Sequence, residues 1–103
     1  MNRGDIFRIS FAGTGREQRG PRFGVVLQAG ELLGLSTVIV APTSRSAAAA
    51  TFRPAVLVAG ADTRVMVEQL RAVDLQRLGK PAGRLTAPEL RAVDEALELV
   101  LGL

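Results

Sequence analysis

A chain of 103 residues, 48% of them hydrophobic, has material for one domain around one core and too little for two. With no cysteine and no histidine, it excludes disulfides, thiolate nucleophiles, the common zinc sites and the usual imidazole acid or base. The formal charge is only +3, yet the sequence pI is about 11.0 and every basic side chain except Lys80 is arginine, whose planar fork of donors suits phosphate.

The basic excess is uneven. Met1 to Arg53 holds seven arginines against Asp5, Glu17 and Glu31, so a polyanion would meet the first half. A solvated, arginine-rich surface accounts for the same composition. No apolar run approaches membrane-spanning length, and no charged start leads into an apolar stretch with a cleavage site. A soluble, cytoplasmic protein with no membrane partner is therefore expected.

In chain order, Arg3 to Phe11 carries Ile6, Phe7, Ile9 and Phe11 in a segment too short for a stable helix, and predicts a first strand. Gly13 to Pro21 is a polar, glycine-rich loop; its Gly-Thr-Gly is no dinucleotide fingerprint, because neither a helix nor a third glycine follows at the right spacing. Phe23 to Leu27 and Thr37 to Ala41 are apolar, β-branched runs that predict two buried strands, joined through Gly30 and Gly34. Thr43 to Thr51 is low in complexity and has no helical polar face, which predicts a mobile loop. Pro54 to Ala59 and Arg64 to Leu70 predict further short strands. One helix closes the chain: Thr86 and Glu89 form a capping box, Pro88 sits in the first turn, Leu90, Val93, Leu97, Val100 and Leu101 recur at helical spacing, and Gly102 suits the stop. Short strands with polar turns and no long alternating helices predict a mainly β fold, a small barrel or sandwich, with a C-terminal helix.

Three stretches could carry chemistry. Arg16-Glu17-Gln18-Arg19-Gly20-Pro21-Arg22 packs a carboxylate, an amide and three guanidinium groups into a loop, where binding and catalysis concentrate, or else simply keeps a hairpin wet. Pro42-Thr43-Ser44-Arg45 follows an apolar strand; its hydroxyls could donate to a phosphate beside Arg45, or serve turn chemistry. In Glu68-Gln69-Leu70-Arg71-Ala72-Val73-Asp74, strand alternation would turn Glu68 and Arg71 to opposite faces, and a surface ion pair at a strand end explains the charges.

Taken together these residues reach a resemblance. Arg3-Gly4-Asp5-Ile6, Glu17-Gln18, Gly20 to Arg22 before a strand, Pro42-Thr43-Ser44 ending another, Glu68 to Asp74 and Arg77-Leu78 resemble the MazF/PemK family in order and spacing, nearly end to end. The sequence departs from the family's pattern in having Phe23 where proline is usual, a contracted Pro42-Thr43-Ser44, and Met66 where some relatives place a second arginine.

The resemblance implies a small Src-homology-3-like β-barrel of the MazF/CcdB/Kid type, a homodimer whose groove holds single-stranded RNA, and a cognate MazE-like antitoxin. It implies endonucleolytic cleavage that leaves a cyclic phosphate and a free 5′-hydroxyl, without metal or cofactor. By motif, Arg22 and Thr43 match catalytic residues. Glu17 and Gln18 match the loop supporting them, and Glu68 falls where some relatives carry an acid. Glu17 is a candidate proton acceptor, because a guanidinium stays protonated in proteins. Arg16, Gln18, Arg19, Ser44, Arg45 and Glu68 are candidate RNA contacts. Two alternatives stand beside this reading: a non-catalytic, CcdB-like gyrase-poisoning toxin on the same fold, and an arginine-rich RNA-binding barrel with no activity.

Overall fold

The computed structural model describes residues 1–103. Seven strands and one helix form: β1 (Asp5–Phe11), β2 (Gly20–Val26), β3 (Thr37–Ser44), β4 (Ala55–Val58), β5 (Ala61–Val65), β6 (Arg71–Asp74), β7 (Leu78–Arg84) and α1 (Ala87–Leu101). The sheet runs β4-β5-β3-β2-β1-β7, with β6 added to β3, and every pairing is antiparallel. It curls into a half-barrel, as expected from the many short strands.

Both faces of β2 are covered from Gly24 to Val26 and of β3 from Val40 onward, which is why these stretches read as continuous apolar runs, while Thr37 and Ile39 leave one face of the start of β3 open. Val25 enters one apolar cluster, with Ile6, Ala41, Val65, Val67 and Val93; its neighbour Val26 enters a second, with Ile9, Phe11, Val38, Val40 and Val73. In β1, Ile6 and Ile9 likewise serve different clusters, and the strand's register against β7 shifts on either side of Phe7. Gly24 lies where the packing is tightest. A Cβ there would fall 2.6 Å from Ile9 Cδ1 and 2.9 Å from Phe11 Cζ, so no side chain fits between β2 and the second cluster.

The helix begins as the capping box dictates: Thr86 Oγ1 accepts from Glu89 N at 3.3 Å, and Glu89 Oε1 accepts from Thr86 N at 2.8 Å. Gly102 ends it in the left-handed region at φ 70°. Val93 and Ala96 go into the first cluster with Leu90, Leu97 and Val100 around them. Leu101, expected on that stripe, is exposed; it sits at the stripe's margin in the last turn. Glu89 also reaches out of the helix, its Oε2 accepting from Leu57 N of β4 at 2.8 Å. Burial pushes its carboxyl up, but the hydrogen bonds from Thr86 N, Leu57 N and Thr86 Oγ1 outweigh this and hold it below the ordinary carboxylate value. At the other end, Arg3 binds Asp94 Oδ1 at 2.6 Å and Leu27 O at 2.8 Å, pinning the chain start to the helix.

Three expectations are corrected. Thr43 and Ser44 do not follow β3 but are its last two residues. The stretch from Arg64 to Leu70 is not one strand: β5 ends at Val65, and Val67–Gln69 form a 3₁₀ turn closed by Gln69 N on Met66 O at 3.0 Å. Of the stretch Glu68 to Asp74, to which strand alternation was applied, only Arg71–Asp74 is strand, as β6, and β7 is not expected from the sequence. No helix is long and apolar enough to cross a membrane.

Two measurements check this account. Gly24→Ala should lower stability by about 1–3 kcal/mol through overpacking, seen as a lower denaturation midpoint with an unchanged slope. Glu89→Gln should cost about 1 kcal/mol at neutral pH. Because the folded-state pKa is depressed, that difference should shrink as pH falls through it, and a difference unchanged into the acid range would remove the assignment.

Candidate functional site

One cleft of about 530 Å³ opens where β2, the end of β3 and the β4–β5 hairpin meet, and it is lined by Arg8, Arg22, Phe23, Thr43, Ser44 and Arg45 among others. No aspartate or glutamate lines it. None of its three arginines takes part in the molecule's four ion pairs, so their charge is uncompensated at close range.

Arg22 is fixed by two backbone carbonyls. Its Nε donates to Arg19 O at 3.1 Å and its Nη1 to Thr43 O at 3.4 Å, which holds the guanidinium against the cleft wall and leaves its remaining N–H groups open. Thr43, 5% exposed, donates its hydroxyl proton to Phe23 O at 2.8 Å. The β2–β3 ladder stops at the Gly24–Pro42 pair, so Phe23 O lies just beyond the last pair and is satisfied by this side chain. Arg22 and Thr43 are thus linked twice, once through each strand's backbone. Ser44 is also buried, its Oγ 3.2 Å from Ser46 Oγ, and Arg45 stands exposed on the cleft rim. Thr63 of β5 lines the same cleft, is 6% exposed, and its Oγ1 has no partner.

Glu17 is elsewhere. It lines a smaller hollow of about 250 Å³ with Glu68, Gln69, Leu70 and Arg71, which shares no residue with the cleft. The cause is Arg71, whose guanidinium donates to Ala12 O and to Gln18 O and lies 5.0 Å over the Phe11 ring, drawing the loop toward β6. Gln69 Oε1 adds a bond from Gln18 N at 2.6 Å, and Glu17 Oε2 stands 3.7 Å from Arg71 Nη1. Glu68 and Arg71, placed on opposite faces by strand alternation, line one hollow because the 3₁₀ turn intervenes.

Glu68 is held by Arg53, with Nε at 2.7 Å and Nη2 at 2.6 Å from the same oxygen, and its other oxygen is buried without a partner. That carboxylate is committed to structure rather than to the cleft. Arg16 and Arg19 are exposed on the loop, their carbonyls engaged by Gln69 and Arg22. No group of three or more carboxylates gathers anywhere that could hold a metal ion.

Two functional-looking residues escaped the sequence. Arg8, in β1, is the cross-strand partner of Phe23 and lays its guanidinium 5.0 Å over that ring, a contact worth about 0.5–1 kcal/mol when exposed. Its only signal is position: an arginine amid an apolar strand, opposite an aromatic in the hairpin register. Arg71, for which the sequence suggests only a surface ion pair, does stand 3.7 Å from Glu17, but its main bonds are to carbonyls 53 and 59 residues away.

The sequence and the fold have parallels among known proteins. A family of chains described as PemK-like, MazF-like toxins of type II toxin–antitoxin systems matches residues 2–101. Rv3098A, a toxin candidate of Mycobacterium tuberculosis, is 39% identical over 104 residues, covering 98% of this chain and 97% of its own. Endoribonuclease MazF9 of the same organism is 33% identical over 117 residues, covering 100% and 98%. The crystal structure of MazF from Deinococcus radiodurans superposes with a TM-score of 0.89 at 22% identity over 100% of this chain and 97% of that one. Matched from end to end in sequence, the chain belongs to the PemK-like, MazF-like toxins of type II toxin–antitoxin systems.

Proposed function

We propose that the chain is a toxin endoribonuclease that cuts single-stranded RNA at short motifs, with Arg22 and Thr43 acting on the scissile phosphate. The observation that carries this is their convergence: side chains from two strands meet, hydrogen-bonded through backbone, in one cleft that contains arginines and no carboxylate. The family membership and the relative named an endoribonuclease support the same reading.

The chemistry follows from the groups present. The RNA 2′-oxygen attacks its own phosphorus, a P–O2′ bond forms, the P–O5′ bond breaks, the departing 5′-oxygen takes a proton from water, and a cyclic phosphate and a 5′-hydroxyl result. The nucleophile is internal to the substrate, so the protein's task is alignment and stabilisation of the charge on the phosphorane, and the reaction proceeds without a metal ion or cofactor. Arg22 presents its free N–H groups to the non-bridging oxygens. Thr43, its proton engaged by Phe23 O, rotates to donate when a phosphate oxygen arrives, and Ser44 and Arg45 supply neighbouring contacts. Arg16 and Arg19, exposed and close in sequence to Arg22, meet flanking phosphates. Glu17, bound to the Arg71 side of the loop, stands outside the cleft, so the 2′-hydroxyl proton passes to solvent or to a phosphate oxygen rather than to Glu17. The need for a 2′-hydroxyl excludes DNA as substrate.

Two copies forming a homodimer complete the groove, consistent with Leu35, Ile39 and Leu75 standing exposed along the β3–β6 pair. An antitoxin with an acidic segment that folds on binding fits a cleft of uncompensated arginines.

Incubated with a long transcript in chelator, the protein should generate 5′-hydroxyl ends at a recurring short motif. Arg22→Ala and Thr43→Ala should each lower the rate by at least about 100-fold with an unchanged thermal midpoint. Full cleavage by both variants would end the assignment. A short acidic peptide from the cognate antitoxin should compete with RNA for the cleft, and simultaneous binding of both would show that it docks elsewhere.

A further inference from the structure

The three cleft arginines are not equivalent. Arg22 spends two of its donors on carbonyls, whereas the side chains of Arg8 and Arg45 make no hydrogen bond and no ion pair, and of these two only Arg8 is seated on an aromatic ring. What orients Arg8 is the Phe23 ring beneath it, 5.0 Å from ring centre to guanidinium carbon. A cation stacked in this way is held by its flat face, which leaves all its N–H donors directed outward from its edge. That is a guanidinium placed for an oxyanion yet paired with none.

Arg8 is the cross-strand partner of Phe23, and although strand alternation alone would turn Arg22 to the other face, Arg8 and Arg22 both line the one cleft where β2 reaches the end of β3. Phe23 has two roles in that arrangement, since its carbonyl holds the Thr43 hydroxyl and its ring carries Arg8. Both contacts therefore start from one residue, whose side chain also packs against the first apolar cluster.

We propose that Arg8, seated on Phe23, is a second phosphate-binding residue that grips an RNA phosphate flanking the scissile one and fixes the strand's register in the cleft. The inference rests on the ribonuclease reading. Arg8 touches no reacting bond in this role; it holds substrate, so its loss weakens binding and spares the chemical step. The chemistry suits a phosphodiester, whose paired non-bridging oxygens match the in-plane fork of donors that the ring leaves open.

The test compares wild type, Arg8→Ala, Arg8→Lys and Phe23→Leu on one oligoribonucleotide carrying the mapped cleavage motif, and measures binding on the same oligomer with a 2′-deoxy sugar at the cleavage position. Arg8→Ala should raise KM by about tenfold and leave kcat within about twofold. It should also flatten the plot of log affinity against log salt by about 0.7, the change expected for one lost contact to a single strand. Arg8→Lys should restore the salt slope while recovering only part of the affinity, since an ammonium keeps the charge and loses the fork. Phe23→Leu, which keeps an apolar side chain without a ring, should raise KM in the same direction. An Arg8→Ala protein with wild-type KM and salt slope overturns the role of Arg8 and leaves the ribonuclease reading standing. Wild-type protein that neither binds nor cuts the RNA overturns both.

Discussion

A strand has two edges, and β3 divides one of them between two partners. Thr37 to Val40 pair with β6, Thr43 and Ser44 pair with β5, and the opposite edge pairs with β2 from Val40 to Pro42. Pro42 stands at the changeover, where its missing N–H leaves no donor unsatisfied, and its carbonyl is taken by Met66 N at 2.9 Å as the chain leaves β5. The end of β3 can therefore leave β2 and continue as part of the smaller β4–β5 unit. The gap opened by that departure is the cleft, and Thr43 lies on its wall because it is the first residue past the changeover.

The same constraint explains what was readable in advance. β1, β2, the apolar part of β3 and α1 announce themselves through apolar runs and a capping box, which are local properties. β7 does not, because it contains Gly79, Pro81 and Gly83 and pairs only with β1 at the sheet's end. An edge strand tolerates a residue with no N–H and glycines that bend it, so the features that permit β7 hide it from pattern reading. β6 is concealed by brevity, with four residues directly after a 3₁₀ turn. The turn also shifts the phase of everything after Met66, which is why alternation counted through Glu68 to Asp74 gave the wrong faces.

Within the site, Arg22 and Thr43 were visible as motif matches, and what could not be read was which of their neighbours would accompany them. Glu17 is five residues from Arg22, yet the decisive contact is with Arg71, far away in sequence. Arg8 is more instructive. It is fourteen positions from Arg22 in sequence, but the hairpin register brings it opposite Phe23. Sequence proximity therefore over-selected the Gly13–Pro21 loop and under-selected β1. The substitution of Phe23 for the family's usual proline stands in the same place. An aromatic there supplies the ring for Arg8, and its carbonyl still meets the Thr43 hydroxyl.

Net charge is a poor guide to this molecule, and the structure shows why. Arg3, Arg53 and Arg84 are neutralised by Asp94, Glu68 and Asp5, and Arg71 and Arg64 are engaged by carbonyls that stitch loops to strands. These cations are structural, and each carboxylate used on them is one removed from the rest of the surface. What remains is a partition: the four ion pairs are placed away from the cleft, and Arg8, Arg22 and Arg45 take part in none of them. The formal excess of +3 is an average over both populations, whereas a polyanion responds to the local field, which in a concave site walled by low-dielectric protein is stronger than the average suggests. A chain with modest total charge can in this way keep a strongly cationic groove without the self-repulsion that a uniformly basic surface would impose on its fold.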